Sequence, residues 1–147
     1  MVAKHELPHV WQLCEQAMSL VPLTVAKMEA LLGTPMAQRP QTPGRWEGGP
    51  VTFAPSLLVT SSVIGIRHGA WLFAAINIEP PPCISLDMVK ARYPSVKLGS
   101  GPRGHSVYET FGWQVSYDWG VLCFGIRVTD QCLSTIALEP ATAPPTR

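Results

Sequence analysis

Charge is scarce in this chain. Only 14% of its 147 residues are Asp, Glu, Lys or Arg, against 46% apolar, and the formal net charge is +1. The eleven Lys and Arg residues stand singly, so the clustered cations that hold phosphates are missing and no nucleic-acid partner is expected. No apolar run approaches the 18 or more residues of a membrane span, so no membrane insertion is expected. The amino-terminal MVAKHELPHV lacks the basic stretch and apolar core of a signal peptide, which points to the cytoplasm, or to the periplasm if a leader has been removed.

Catalytic and metal-binding patterns are also missing. The histidines His5, His9, His68 and His105 are dispersed, and His5 and His9 straddle Pro8 at a helix start, which spoils ligand spacing. There is no Gly-x-Ser-x-Gly elbow, and the three Asp and seven Glu form no local carboxylate pair. We therefore expect no enzyme, no catalytic residue, no cofactor and no metal. Cys14, Cys83, Cys123 and Cys132 contain no Cys-x-x-Cys pair, which removes zinc and thioredoxin-like readings. A bridge between Cys123 and Cys132 is opposed by strand alternation. Cys123 falls opposite Leu122, Phe124 and Ile126, while Cys132 is in phase with the apolar Ile136 and Leu138. All four are expected to be free, mostly buried thiols.

What is present is repetition. GIRVTDQCLSTIALEP (125–140) laid over GIRHGAWLFAAINIEP (65–80) gives six identities in 16 positions at a constant offset of 60, where background composition gives about one. Residues 8–21 place Val10, Trp11, Cys14, Ala17, Met18 and Val21 at helical spacing between Pro8 and Pro22. Thr24 then caps a helix VAKMEALL that Gly33 and Pro35 end, and Ser85, at nearly the offset of the repeat, caps LDMVKARY. Each helix is followed by an irregular segment, Pro- and Gly-rich over 34–50 and Gly-rich over 97–105. Strand material follows: VTFA, LLVTSSVIGIR, a tight turn at His68-Gly69 and WLFAAINI in the first half, then SVYETF, WQVSYDW, VLCFGIR and CLSTIAL in the second.

The fold class is α+β. We expect one domain over 1–140, built of two related units, 23–80 and 84–140, that share one curved sheet with helices on one face. The helix 8–21 precedes them and a flexible tail 141–147 follows. One such unit by itself buries too little surface to be comfortable alone.

The run LTVAKMEALLGTP, an irregular loop and a meander of strands resemble the β-lactamase-inhibitor-protein-like superfamily, with Leu32, Gly33 and Pro35 matching its helix end. The second helix departs, with ARYPSV in place of Leu-Gly, and the cysteine pair that closes a loop in each unit of that superfamily's tandem member is absent. The resemblance implies helices on the convex side of a curved sheet and a concave face that grips a partner protein, often through aromatic residues.

WQVSYDW sets Trp113, Val115, Tyr117 and Trp119 on one strand face, either as core beneath the helices or as an exposed row, since interface hot spots favour Trp and Tyr. Trp71 and Phe73 alternate away from Leu72, Ala74, Ile76 and Ile78, so that strand is covered twice or has one contact face. Arg67 and Arg127, with Glu79 and Glu139, read as a structural ion pair at the rim of each unit. Arg103 and His105, with Arg39 and Arg45, can contact an acidic partner from loops 36–50 and 97–105, which would flank the concave face.

The expected function is therefore a protein-binding inhibitor, an immunity protein that occludes a toxin or effector enzyme. Trp113, Tyr117, Trp119, Tyr108, Arg103, His105, Arg45, Trp46, Trp71 and Phe73 are the candidate contacts. The competing expectations are a small-ligand or enzymatic domain with a pocket between sheet and helices, and a secretion chaperone for one effector.

Overall fold

The computed structural model describes residues 9–55, 57–80, 83–100 and 110–141. They form helices α1 (His9–Met18), α2 (Val25–Leu32) and α3 (Leu86–Arg92). The strands are β1 (Met36–Gln38), β2 (Arg45–Gly48), β3 (Val51–Ala54), β4 (Leu57–Arg67), β5 (Ala70–Glu79), β6 (Lys97–Ser100), β7 (Thr110–Tyr117), β8 (Gly120–Arg127) and β9 (Leu133–Pro140). The class is α+β, with one large antiparallel sheet.

Local chemistry sets the helix ends. Thr24, in extended conformation, accepts the Lys27 amide proton on its hydroxyl at 3.1 Å, and Gly33 takes the left-handed conformation (φ 70°) that returns its N–H to the Glu29 carbonyl. Ser85 caps α3 in the same way through the Met88 amide, but α3 ends on Tyr93 without a left-handed residue.

The strand order is β1-β2-β4-β5-β9-β8-β7-β6, with β3 beside β2 along the same edge of β4. Two expected loops therefore contain strands. Segment 34–50 carries β1 and β2 because its prolines avoid the paired positions. Pro35 precedes β1, Pro40 and Pro43 fall in the connection, and Pro50 separates β2 from β3, so no ladder donor is lost. Segment 97–100 is β6, pressed so close to β7 that a Cβ on Gly99 would overlap the Gln114 side chain. The expected strand WQVSYDW begins earlier, with Thr110, in β7.

Directly paired residues share a sheet face. One row crosses the sheet as Met36, Gly48, Ser62, Ile76, Ile136, Phe124, Trp113 and Leu98. The helices cover this face. Trp11 of α1 meets Phe124 and Tyr93 edge-on, at centroid distances of 6.1 and 5.7 Å, and the Lys90 ammonium of α3 lies 4.9 Å from the Trp113 ring centre. Cys14 is fully buried here, and burial first, Glu15 second, pushes its thiol above the ordinary range and keeps it protonated.

The opposite face carries the row Ala37, Glu47, Val63, Ala75, Ala137, Cys123, Gln114 and Lys97, which contributes no member to the hydrophobic core cluster. We call it the open face.

The cysteine expectation is half overturned. Cys83 and Cys132 form a disulfide with Cα atoms 5.1 Å apart, while Cys14 and Cys123 are free. Alternation puts Cys132 in phase with Ile136 and Leu138, but the register slip at Gly125/Ile126 leaves Ser134 as an extra residue and gives that place to Leu133, and alternation carries no information about which segment lies over Cys132. Residues 83–85 run beside the start of β9, where Ser85 bridges Cys132 and Leu133 donates to the Ile84 carbonyl at 2.8 Å.

Two measurements test this account. Replacing Cys83 and Cys132 together with Ser removes a cross-link with a sequence separation of 49 and is expected to lower unfolding stability by about 3–4 kcal/mol on the chain-entropy scale. Phe124→Ala, which empties a fully buried site between β8 and the helices, is expected to cost about 3–5 kcal/mol in denaturant titration.

Candidate functional site

The two halves of the β4–β5 hairpin part company at its tip. His68 (φ 52°) and Gly69 (φ 77°) supply the two positive-φ residues of a tight turn. Just behind it the register slips. Ile66 pairs with Trp71 and Gly65 with Phe73, which leaves Leu72 as the extra residue of a bulge. This corrects the expected alternation. The bulge sends Trp71 to the helix-bearing face, where it is buried with the core, and Phe73 to the open face. Leu72 is left 45% exposed.

Phe73 lies over Gly65, where a Cβ would overlap its ring. The connection between β1 and β2 docks beside it. Gly44, in left-handed conformation (φ 84°), accepts the Ile66 amide proton at 2.7 Å on its carbonyl oxygen, and any side chain at this position would run into the Ile66 carbonyl. Between them lies an open cleft of about 680 Å³, walled by Thr42–Arg45, Gly65–His68, Leu72 and Phe73.

Its rim is cationic. Glu47 accepts from Arg45 Nε at 3.0 Å and from Arg39 Nη1 at 3.2 Å, and these guanidiniums, Arg45 first, hold its carboxyl below the usual carboxylate range. Arg67 is exposed and makes no ion pair or side-chain hydrogen bond among the described residues. Arg127, its counterpart in the repeat, is different: its side chain is only 18% exposed, with Nη2 3.7 Å from Glu79 and Nε 3.6 Å from Asp130. An ion pair is expected at the rim of each repeat. The pair that forms joins β8 to β5, and Arg67 makes no equivalent pair among the described residues.

Of the expected contacts, the structure brings Arg45 and Phe73 together in the cleft. Trp46 faces the helix side beside Ile64. Trp113, Val115 and Tyr117 also face the helix side, beside Phe124, Leu122 and Gly120. Of the two readings of this row, Trp113 and Val115 fit core beneath the helices and not an exposed row on the other face, where the candidate contacts are expected. Tyr117 remains 37% exposed and stacks on Trp119 at 5.5 Å, and Trp119 leans on Trp71 at 6.3 Å. The row turns this way because Trp113 sits opposite Phe124, whose face α1 and α3 cover. Arg103, His105 and Tyr108 lie outside the described residues.

Sequence reasoning misses Arg67, His68 and Leu72. Arg67 reads as scaffold because it is duplicated, and the bulge that exposes Leu72 leaves no periodic signal. The available clue is the tight His68-Gly69 turn.

Elsewhere on the open face, Asn77 donates to the Ser61 hydroxyl at 2.8 Å and accepts from Thr135 at 2.9 Å. Half-buried Cys123 has its thiol pushed above the usual range, mainly by burial and then by Glu139, so it is a poor nucleophile at neutral pH. Among the described residues no group of three or more His, Cys, Asp or Glu is placed to hold a metal, and no helix is long and apolar enough to cross a membrane. No protein-family model, curated protein or solved structure matches the chain.

Gly65→Val tests the cleft's construction. It is expected to drive the Phe73 ring off β4, shifting its ring-proton resonances, and to cost about 1–3 kcal/mol of stability.

Proposed function

We propose that the chain is two copies of one helix-and-sheet unit whose joined sheet grips another protein on its open face, and that it works as an inhibitor by occluding that protein. An immunity protein directed at a toxin or effector enzyme is the form we favour.

Four features support the duplication. The strand order is symmetric about the β5–β9 pairing. At that pairing Ile76 lies opposite Ile136, its own counterpart in the repeat. Register slips recur at Gly65/Ile66 and Gly125/Ile126, which are equivalent positions of the two copies. The capped helices α2 and α3 begin at almost the same offset, with Thr24 and Ser85 as their caps. The same arrangement supports the resemblance to the β-lactamase-inhibitor-protein-like superfamily.

The observation that carries the binding reading is the open face itself. Its centre is a run of small or short side chains, Val63, Ala75, Ala137 and Cys123, with Leu58 and Leu72 exposed at 42% and 45%. Small central residues let another surface approach the sheet closely, and exposed large apolar residues gain when covered. The cleft also lies on this face, not between sheet and helices where the small-ligand or enzymatic alternative would put it. The Cys83–Cys132 bridge argues for an oxidising compartment in place of the cytoplasm.

Ala137→Trp is the test. The full chain is used as bait in its native host, and the captured protein is purified and assayed. We expect the wild type to retain a partner and suppress its activity at stoichiometric addition, and Ala137→Trp to lose both while its thermal unfolding is unchanged. Undiminished capture by Ala137→Trp would overturn the open-face assignment, and a partner stabilised without loss of activity would favour the chaperone reading.

A further inference from the structure

We propose that the cleft between the Thr42–Arg45 segment and the β4–β5 turn receives an acidic peptide segment of the partner. Its carboxylate is held by Arg67 and Arg45, and the apolar side chain beside it rests on Leu72 and Phe73. This rests on the protein-binding reading and specifies the chemistry that the partner presents.

Arg39, Arg45 and Arg67 are set against one carboxylate, Glu47, in and beside the cleft. Arg45 reaches Glu47 through Nε, and its terminal Nη groups make no hydrogen bond among the described residues. Arg67 has no partner among them at all. A chain with so few charges that leaves one guanidinium unpaired and the Nη groups of a second uncommitted on one rim presents a site for a carboxylate, which Arg binds in planar, two-pronged fashion.

A cleft of about 680 Å³ is far larger than one carboxylate and falls in the range that encloses a ligand of several groups. Its floor is apolar, since Leu72 is thrown outward by the bulge and the Phe73 ring lies against Gly65. An acidic residue next to an apolar one satisfies both parts, whereas a nucleic-acid backbone would use the rim and leave the floor uncovered.

If Arg67 served the scaffold, it would repeat the arrangement of Arg127, which is neutralised by Glu79 and Asp130. Glu139, the position corresponding to Glu79, makes no ion pair with Arg67.

The experiment is a titration of the isotopically labelled full chain, followed by amide NMR, with three probes. These are a capped hexapeptide alternating glutamate and leucine, the same peptide with glutamine for glutamate, and a deoxythymidine hexanucleotide. We expect the acidic peptide to shift the Gly44, Ile66, His68 and Leu72 resonances and to bind about tenfold or more tightly than the glutamine peptide. Arg67→Met, which keeps the aliphatic stem at an exposed position, should weaken it by about tenfold, while Lys97→Met at the far edge of the sheet should not. Equal binding of the glutamine peptide, indifference to Arg67→Met, or shifts centred elsewhere would overturn the proposal. Tighter binding of the oligonucleotide would replace the peptide with a phosphate ligand. Absence of binding by the acidic peptide also sinks this inference, but leaves the open-face reading to stand or fall on Ala137→Trp.

Discussion

The pairing of β5 with β9 holds this protein together. Ala74–Asn77 and Thr135–Leu138 are the positions at which strands β1–β5 and strands β6–β9 become one sheet. Without it each set would end in a free strand edge and half an apolar row. With it, Ile76 and Ile136 meet with no solvent exposure and the row from Met36 to Leu98 becomes continuous. Because side chains alternate with period two, a slip of one residue at this junction would turn one set's core outward. Polar contacts on the open face pin the register, through the bonds of Asn77 to Ser61 and Thr135.

Once the register is set, the two faces have different work. The helix-bearing face holds Phe124, Ile64, Ile126 and Leu138, against which Trp11, Met28 and Val89 pack. Burial of large side chains on this side supplies most of the folding free energy. The open face is not needed for that, and its centre is built from small and short side chains, Val63, Ala75, Ala137 and Cys123. Among the described residues its central row contributes nothing to the hydrophobic core cluster. The β-bulge at Leu72 then modifies that face locally, moving one aromatic side chain into the core and another into the cleft.

Several features are legible in the chain because their causes are local. A Thr three residues before a free amide, a glycine that tolerates left-handed backbone and a His-Gly turn locate α2 and the β4–β5 hairpin from a few neighbouring residues, and Ser85 does the same for α3. Counting Pro and Gly misreads segment 34–50, because a count ignores where those residues fall relative to a ladder. Periodicity groups the aromatic residues of β7 correctly but assigns them no side, since alternation divides a strand into two faces without saying which the helices cover.

The amino-acid sequence alone determined the α+β class, the capped helices and most strand positions, all of which depend on residues within a turn or a strand length of one another. The tertiary structure decided the rest. It brought Cys83 to Cys132, paired Arg127 with Glu79, left Arg67 without a counter-ion among the described residues and set Arg45 beside Phe73. Each of these joins residues far apart in the chain or leaves one without a distant partner. Such contacts depend on which strand lies beside which, and that choice is made by burying the whole apolar row at once rather than by any short stretch of chain.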